Sequence, residues 1–183
     1  MNILNPYRLH KVPFIIEVSV TAGQTFIMPT AYTKQYDAKV DWGDGTPKSH
    51  VTGYLDSAAE HTYVDAGIYQ ISVRGIWKTM PFVINPSILR IIDWGEGVID
   101  MYWFQADRCV NFYELPQQPM NSKITWGYRA YTSSALTDIP TMLFENSNIT
   151  TCLSMFAGAP LTEIPVGLLN TATKISNAEA MFA

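Results

Sequence analysis

The chain has 183 residues, of which 48% are hydrophobic and only 15% charged, with a formal net charge of −4. This length and composition predict one ordinary domain or two small ones, and argue against disorder or a fibre. The acidic balance and the lack of any Lys or Arg cluster exclude the electrostatic footprint of a nucleic-acid binder. Apolar runs at 13–16 and 88–92 fall well short of the roughly 20 residues needed to cross a bilayer, so a soluble chain with no membrane partner is expected. Residues 1–10 lack the basic start, apolar stretch and small-residue cleavage site of a secretory signal. The expectation is therefore either a signal already removed or a protein that does not use that export route.

In chain order, the first element is a strand in which Phe14, Ile16, Val18 and Val20 point one way and Glu17 and Ser19 the other. A second run, 24–28, ends at Pro29, and a third places Ala38, Val40 and Trp42 on one face. Gly43-Asp44-Gly45 then supplies two residues free to adopt positive φ, flanked by carboxylates able to accept backbone N–H groups, which predicts a hairpin turn. After His61-Thr62-Tyr63 and a turn at Asp65-Ala66-Gly67, Tyr69, Ile71 and Val73 share a face, with Gln70, Ser72 and Arg74 opposite. Short strands with turn signals between them predict a β-sandwich.

Three blocks in this region, Val40-Asp41-Trp42-Gly43-Asp44-Gly45-Thr46, His61-Thr62-Tyr63 and Gly67-Ile68-Tyr69-Gln70-Ile71-Ser72-Val73, resemble the polycystic-kidney-disease (PKD) domain pattern over about residues 12–83. The resemblance implies an immunoglobulin-like sandwich in which the tryptophan packs in the core, the Asp-Gly pairs shape the hairpin and the tyrosine after the second turn locks a strand edge. Residues 48–60 depart from the family pattern and read as a longer loop.

The second half carries an internal repeat. Leu136-Thr137-Asp138-Ile139-Pro140 recurs as Leu161-Thr162-Glu163-Ile164-Pro165, and the same shift relates Tyr131 to Phe156 and Leu143 to Leu168. Met155-Phe156 recurs as Met181-Phe182, and a degenerate earlier copy begins at Phe112-Tyr113-Glu114-Leu115-Pro116. A period of about 25 residues lies in the range of leucine-rich repeats, whose units bury their apolar faces only by stacking. The Leu-Thr-x-Ile-Pro block and the Met-Phe pair resemble BspA-type leucine-rich-repeat surface proteins. The stretch Leu89-Arg90-Ile91-Ile92-Asp93-Trp94-Gly95, with Trp103-Phe104 and Cys109, is similar to the junction that such proteins place between a PKD-like module and the first repeat. The expected architecture is mainly β: a PKD-like sandwich with an N-terminal arm over 1–83, then a short leucine-rich-repeat-like solenoid over 84–183. Because Met181-Phe182-Ala183 provides no polar cap, the native chain is expected to continue, or a partner to cover this end.

Chemistry is sparse. Asp41 and Asp44 are weak candidates for a cation, but no third carboxylate arrives at the spacing of a calcium loop, so turn formation is the expected role. His10, His50 and His61 show no zinc spacing. Cys109 and Cys152 are expected as buried thiols. Gly95-Glu96-Gly97 lacks the lysine and following helix of a phosphate loop and reads as a turn. No nucleophile motif or cofactor fingerprint is present, so neither catalysis nor a cofactor is expected. Aromatic residues stand out: Trp77, Tyr102, Trp103, Trp126, Tyr128 and Tyr131 crowd the junction and the first repeats and form the candidate binding surface, where exposed rings suit a sugar or a protein contact.

The expected role is that of a non-catalytic structural or binding protein. The first reading is a bacteriophage virion component, a tail or capsid appendage with possible receptor-binding duties. The alternatives are a bacterial cell-surface adhesin of the BspA type and a glycan-binding accessory module. Other virion or surface proteins, and host-cell glycans or receptors, are the expected partners, within an oligomer or a larger assembly.

Overall fold

The computed structural model describes residues 12–183; residues 1–11, and with them the N-terminal arm and His10, lie outside the described residues. The fold is mainly β. Its main sheet runs β4 (Ser49–Val51), β3 (Tyr36–Asp41), β6 (Gly67–Trp77), β1 (Phe14–Val20) and β8 (Ile88–Trp94), and the short β9 (Ile99–Asp100) pairs in parallel with β6. Two further pairs complete it: β2 (Thr25–Ile27) antiparallel to β5 (Glu60–Thr62), and β7 (Thr79–Val83) parallel to β10 (Trp103–Asp107). Several antiparallel sheets sharing one hydrophobic core are consistent with a β-sandwich.

The alternation read in β1 decides which residues enter that core. Phe14, Ile16, Val18 and Val20 are buried, as are Ala38, Val40 and Trp42 at the next predicted strand, and Ile71 and Val73 on β6. Glu17, expected on the outer face, is nonetheless only 7% exposed. The Arg90 guanidinium on neighbouring β8 covers it, with Nε 2.9 Å and one terminal nitrogen 3.1 Å from its two carboxylate oxygens. The same arginine reaches Glu114 at 2.8 Å, tying the sheet to the chain beyond it. Residues 48–60 are not a plain loop, because β4 pairs with β3 at the sheet edge and a 3₁₀ turn, Ser57–Ala59, follows. Asp56 caps that turn by accepting the Ala58 N–H at 2.9 Å.

Close approach demands glycine at several positions, Gly43 and Gly95 among them. At Gly43, with φ +81°, a Cβ would lie 2.5 Å from the Gln70 carbonyl oxygen of β6; at Gly95, with φ +65°, it would lie 2.4 Å from the Phe14 nitrogen. Any other residue would push the hairpin after β3, or the turn after β8, off the sheet.

Beyond β10 the chain coils back on itself. Trp103, Trp126, Thr151 and Asn177 form a row of parallel bridges, one per coil. Backbone bonds repeat between coils: Gly127 N to Thr151 O at 2.8 Å and Arg129 N to Leu153 O at 3.0 Å, then Cys152 N to Asn177 O at 2.7 Å and Ser154 N to Glu179 O at 2.9 Å. Inside, four rings stack: Phe112 on Tyr131 at 5.6 Å, Tyr131 on Phe156 at 5.3 Å, and Phe156 on Phe182 at 5.6 Å between centroids. The two Leu-Thr blocks lie in register, with Thr162 N donating to Thr137 O at 2.9 Å. The chain passes residue 83 without a break in packing, since β8 completes the main sheet and β7 pairs with β10.

Candidate functional site: an aromatic cleft at the junction

Where the sheet meets the coils, Tyr102, Trp103, Trp126 and Tyr128 line an open cleft of about 270 Å³ together with Lys34. Each side chain is positioned by an ordinary backbone device. Tyr102 precedes β10; its N–H donates to Lys78 O at 3.1 Å and its carbonyl accepts from Thr125 and Trp126 at 3.0 and 3.3 Å. Trp103 opens β10 opposite Thr79 and is bridged to Trp126. Trp126 and Tyr128 flank Gly127, which faces inward: a Cβ there would lie 2.7 Å from Ile149 Cδ1 and 2.9 Å from Thr151 O. With the middle residue drawn against the next coil, strand alternation turns its two neighbours outward, and Trp126 is 49% exposed.

Lys34 arrives from the loop between β2 and β3. That loop is held by the Tyr36 hydroxyl, which accepts the Ala31 N–H at 2.6 Å and lies 3.1 Å from Thr79 Oγ1, and by Lys78 N to Gln35 O at 3.4 Å. Thr33, a β-branched residue, sits at φ 63°, a left-handed conformation that costs about 1–3 kcal/mol. The Lys34 ammonium lies 5.4 Å from the centre of the Tyr102 ring, within cation–π range. Hydrogen bonding to Tyr102 raises its pKa further, so it stays charged. Among the described residues it forms no ion pair, whereas Lys48 and Lys78 pair with Asp41 and Asp100 at 3.0 and 2.6 Å. The indole N–H of Trp103 is buried without an acceptor among the described residues.

Two of the six aromatic residues expected on a binding surface are core instead. Trp77 is fully buried, donating Nε1–H to Pro29 O at 3.1 Å and meeting Tyr36 edge-on at 5.4 Å. Tyr131 is the second ring of the internal stack, and burial pushes its phenol well above the usual range. Both sit at inward positions of their elements, a distinction that composition alone does not reveal. Conversely, Lys34 was missed, because nothing along the chain links it to rings 68 to 94 positions downstream.

Elsewhere Asp41, Asp44, His50 and His61 are engaged, while the Trp94 indole N–H and the Ser147 hydroxyl are buried without a partner among the described residues. Asp41 accepts the Gly43 N–H at 3.2 Å. Asp44 accepts from Thr46 through N–H and hydroxyl, at 3.1 and 2.6 Å, and lies 2.6 Å from His61 Nε2. Burial works to raise the Asp44 carboxyl, but the bonds from Thr46 and His61 outweigh it and hold it at about 2. The His61 ring stacks on Trp42 at 5.0 Å and meets Tyr63 edge-on at 4.7 Å, while the Tyr63 hydroxyl donates to Trp42 O at 2.9 Å. His50 lies 2.7 Å from Asp37. No group of three His, Cys, Asp or Glu side chains able to hold a metal occurs among the described residues. Cys109 and Cys152 are buried and free, and burial raises them to about 11 and about 12, which keeps them as thiols. A second concavity of about 350 Å³ lies beside Trp94 and Glu96, where Glu96 is tied to Ser122 by two bonds of 2.7 Å. No helix among the described residues is long and apolar enough to cross a membrane. Comparison with family models, curated proteins and solved structures finds no match to this chain.

Proposed function

We propose that this protein is a non-catalytic binding and structural component, built from a PKD-type sandwich and a short leucine-rich-repeat-like solenoid, that engages its partner through the Lys34–Tyr102–Trp103–Trp126–Tyr128 cleft. One observation carries the reading: four rings and an ammonium with no ion pair among the described residues, drawn from a loop, a strand and the first full coil, converge on one open cleft. Large exposed aromatic residues at a concave site are where binding energy concentrates. The setting we favour is the exterior of a bacteriophage particle, a tail or capsid appendage, since both modules resemble those of virion surfaces. A bacterial cell-surface adhesin is the second reading, favoured by the likeness of the coils to BspA-type repeats.

An antibody raised against the whole chain separates the two settings, by labelling purified particles or the cell envelope of the source culture. Label confined to the envelope overturns the virion reading. For the cleft, Trp126→Ala is expected to weaken self-association, read by sedimentation across a range of concentrations, while leaving the melting temperature within about 2 °C, because the ring is half exposed. A chain that stays monomeric at every concentration counts against a role in assembly. A large stability loss in the variant would make Trp126 a core residue and remove the site.

A further inference from the structure

We propose that the junction cleft binds an acidic polysaccharide, a pyranose ring lying on the aromatic faces with its carboxylate directed to Lys34, and the next sugars following the row Trp126–Thr151–Asn177 one per coil. The inference rests on the binding reading above and names its ligand.

Four features point to this chemistry. The cleft, at about 270 Å³, falls just below the usual range for small-molecule sites, roughly 300–1,000 Å³, and has room for one ring. Its walls are aromatic faces, among them two phenols and the half-exposed Trp126 indole with their polar edges. The apolar C–H face of a pyranose packs on such rings while its hydroxyls reach the edges.

The charge is also specific. The chain is acidic overall, yet among the described residues the ionic group lining this cleft is a cation, Lys34, which forms no ion pair there, whereas Lys48 and Lys78 do. A neutral sugar would leave that ammonium unused; a uronic acid would pair with it.

Past the cleft, the outer face of the coils turns polar. In the bridge row Trp126 is followed by Thr151 and Asn177, and beside it Thr150 and Ser176 donate their hydroxyls to the preceding coil, to Thr125 O at 3.0 Å and Thr150 O at 3.1 Å, leaving oxygen lone pairs outward. Neighbouring strands are spaced about 4.8 Å apart, close to the length that one pyranose adds to an extended chain. A hydroxyl-rich polymer lying along the coil axis thus meets a fresh side chain at every sugar. An apolar protein partner would find its contact area ending at the cleft.

Tetragalacturonic acid, cellotetraose and tetraglutamate, titrated into the full chain by calorimetry with tryptophan fluorescence in parallel, test the proposal. The acidic sugar is expected to bind, more weakly as salt rises. Lys34→Met should weaken it about fivefold and erase its advantage over cellotetraose, while Trp126→Ala should abolish binding of both sugars and Trp126→Phe restore part of it. Three results overturn the assignment: no saccharide binding, equal binding of both sugars with Lys34→Met indifferent, or tetraglutamate bound as tightly as tetragalacturonate. If no sugar binds but Trp126→Ala still weakens self-association, the saccharide proposal fails and the cleft stands as a protein contact. If neither responds, both fail.

Discussion

The sheet and the coils of this molecule bury apolar side chains in different ways. In the sheet, β1 is paired along its whole length with β6 and along most of it with β8, so most of its residues are held by neighbours distant in sequence on both sides. In the coils, each turn touches only the turn before and the turn after, through one bridge, a few backbone bonds and one stacked ring. Sheet stability is therefore shared across the whole core, whereas coil stability is a sum of nearest-neighbour contacts. The same repeat position shows the consequence: Ile139, with a coil to follow, is 5% exposed, and Ile164, one repeat later, is 51% exposed. Arg90, bonded to both Glu17 and Glu114, joins the two regimes.

Removing a ring from the middle of the stack tests this contrast most severely. Tyr131→Ala deletes the side chain between Phe112 and Phe156 and should cost about 3–5 kcal/mol. Hydrogen exchange should then show protection lost from Phe112 onward while amides of β1 and β6 keep theirs. Loss of protection in both regions together would mean that the molecule unfolds as one unit.

A matched pair sharpens the point. Ile139→Ala should lower stability by about 2–4 kcal/mol and the equivalent Ile164→Ala by less than about 1, read from urea midpoints, because only the first leaves a cavity. Equal costs would show that burial at this position does not depend on a following coil.

The smallest effect belongs to the sheet. The Asp44 carboxyl, held at about 2 against an ordinary value of 3.8, favours the folded state at all pH values above about 4; that contribution fades as pH falls through about 2. Its size is at most about 2 kcal/mol. The urea midpoint should drop between pH 4 and pH 2, and Asp44→Asn should flatten the drop. An unchanged slope in the variant would assign the acid sensitivity to other carboxylates.

Periodicity made much of this architecture legible. Residues alternating along 14–20 and 38–42 could be assigned to a buried face because strand geometry has a period of two, and the recurrence of Leu136 at Leu161 announced stacked coils because identical spacing places like residues over each other. The glycines after Trp42 and Trp94 could likewise be read as turns.

What the linear order could not determine was which aromatic residues face water. Trp77 and Trp126 are the same residue type, and only the packing of β6 and the inward draw of Gly127 put one in the core and the other in the cleft. Nor could it bring Lys34 to Tyr102, or Arg90 over Glu17. Local patterning follows from the short-range geometry of the backbone, whereas a site assembled from a loop, a strand and a coil exists only once long-range pairing has closed the chain.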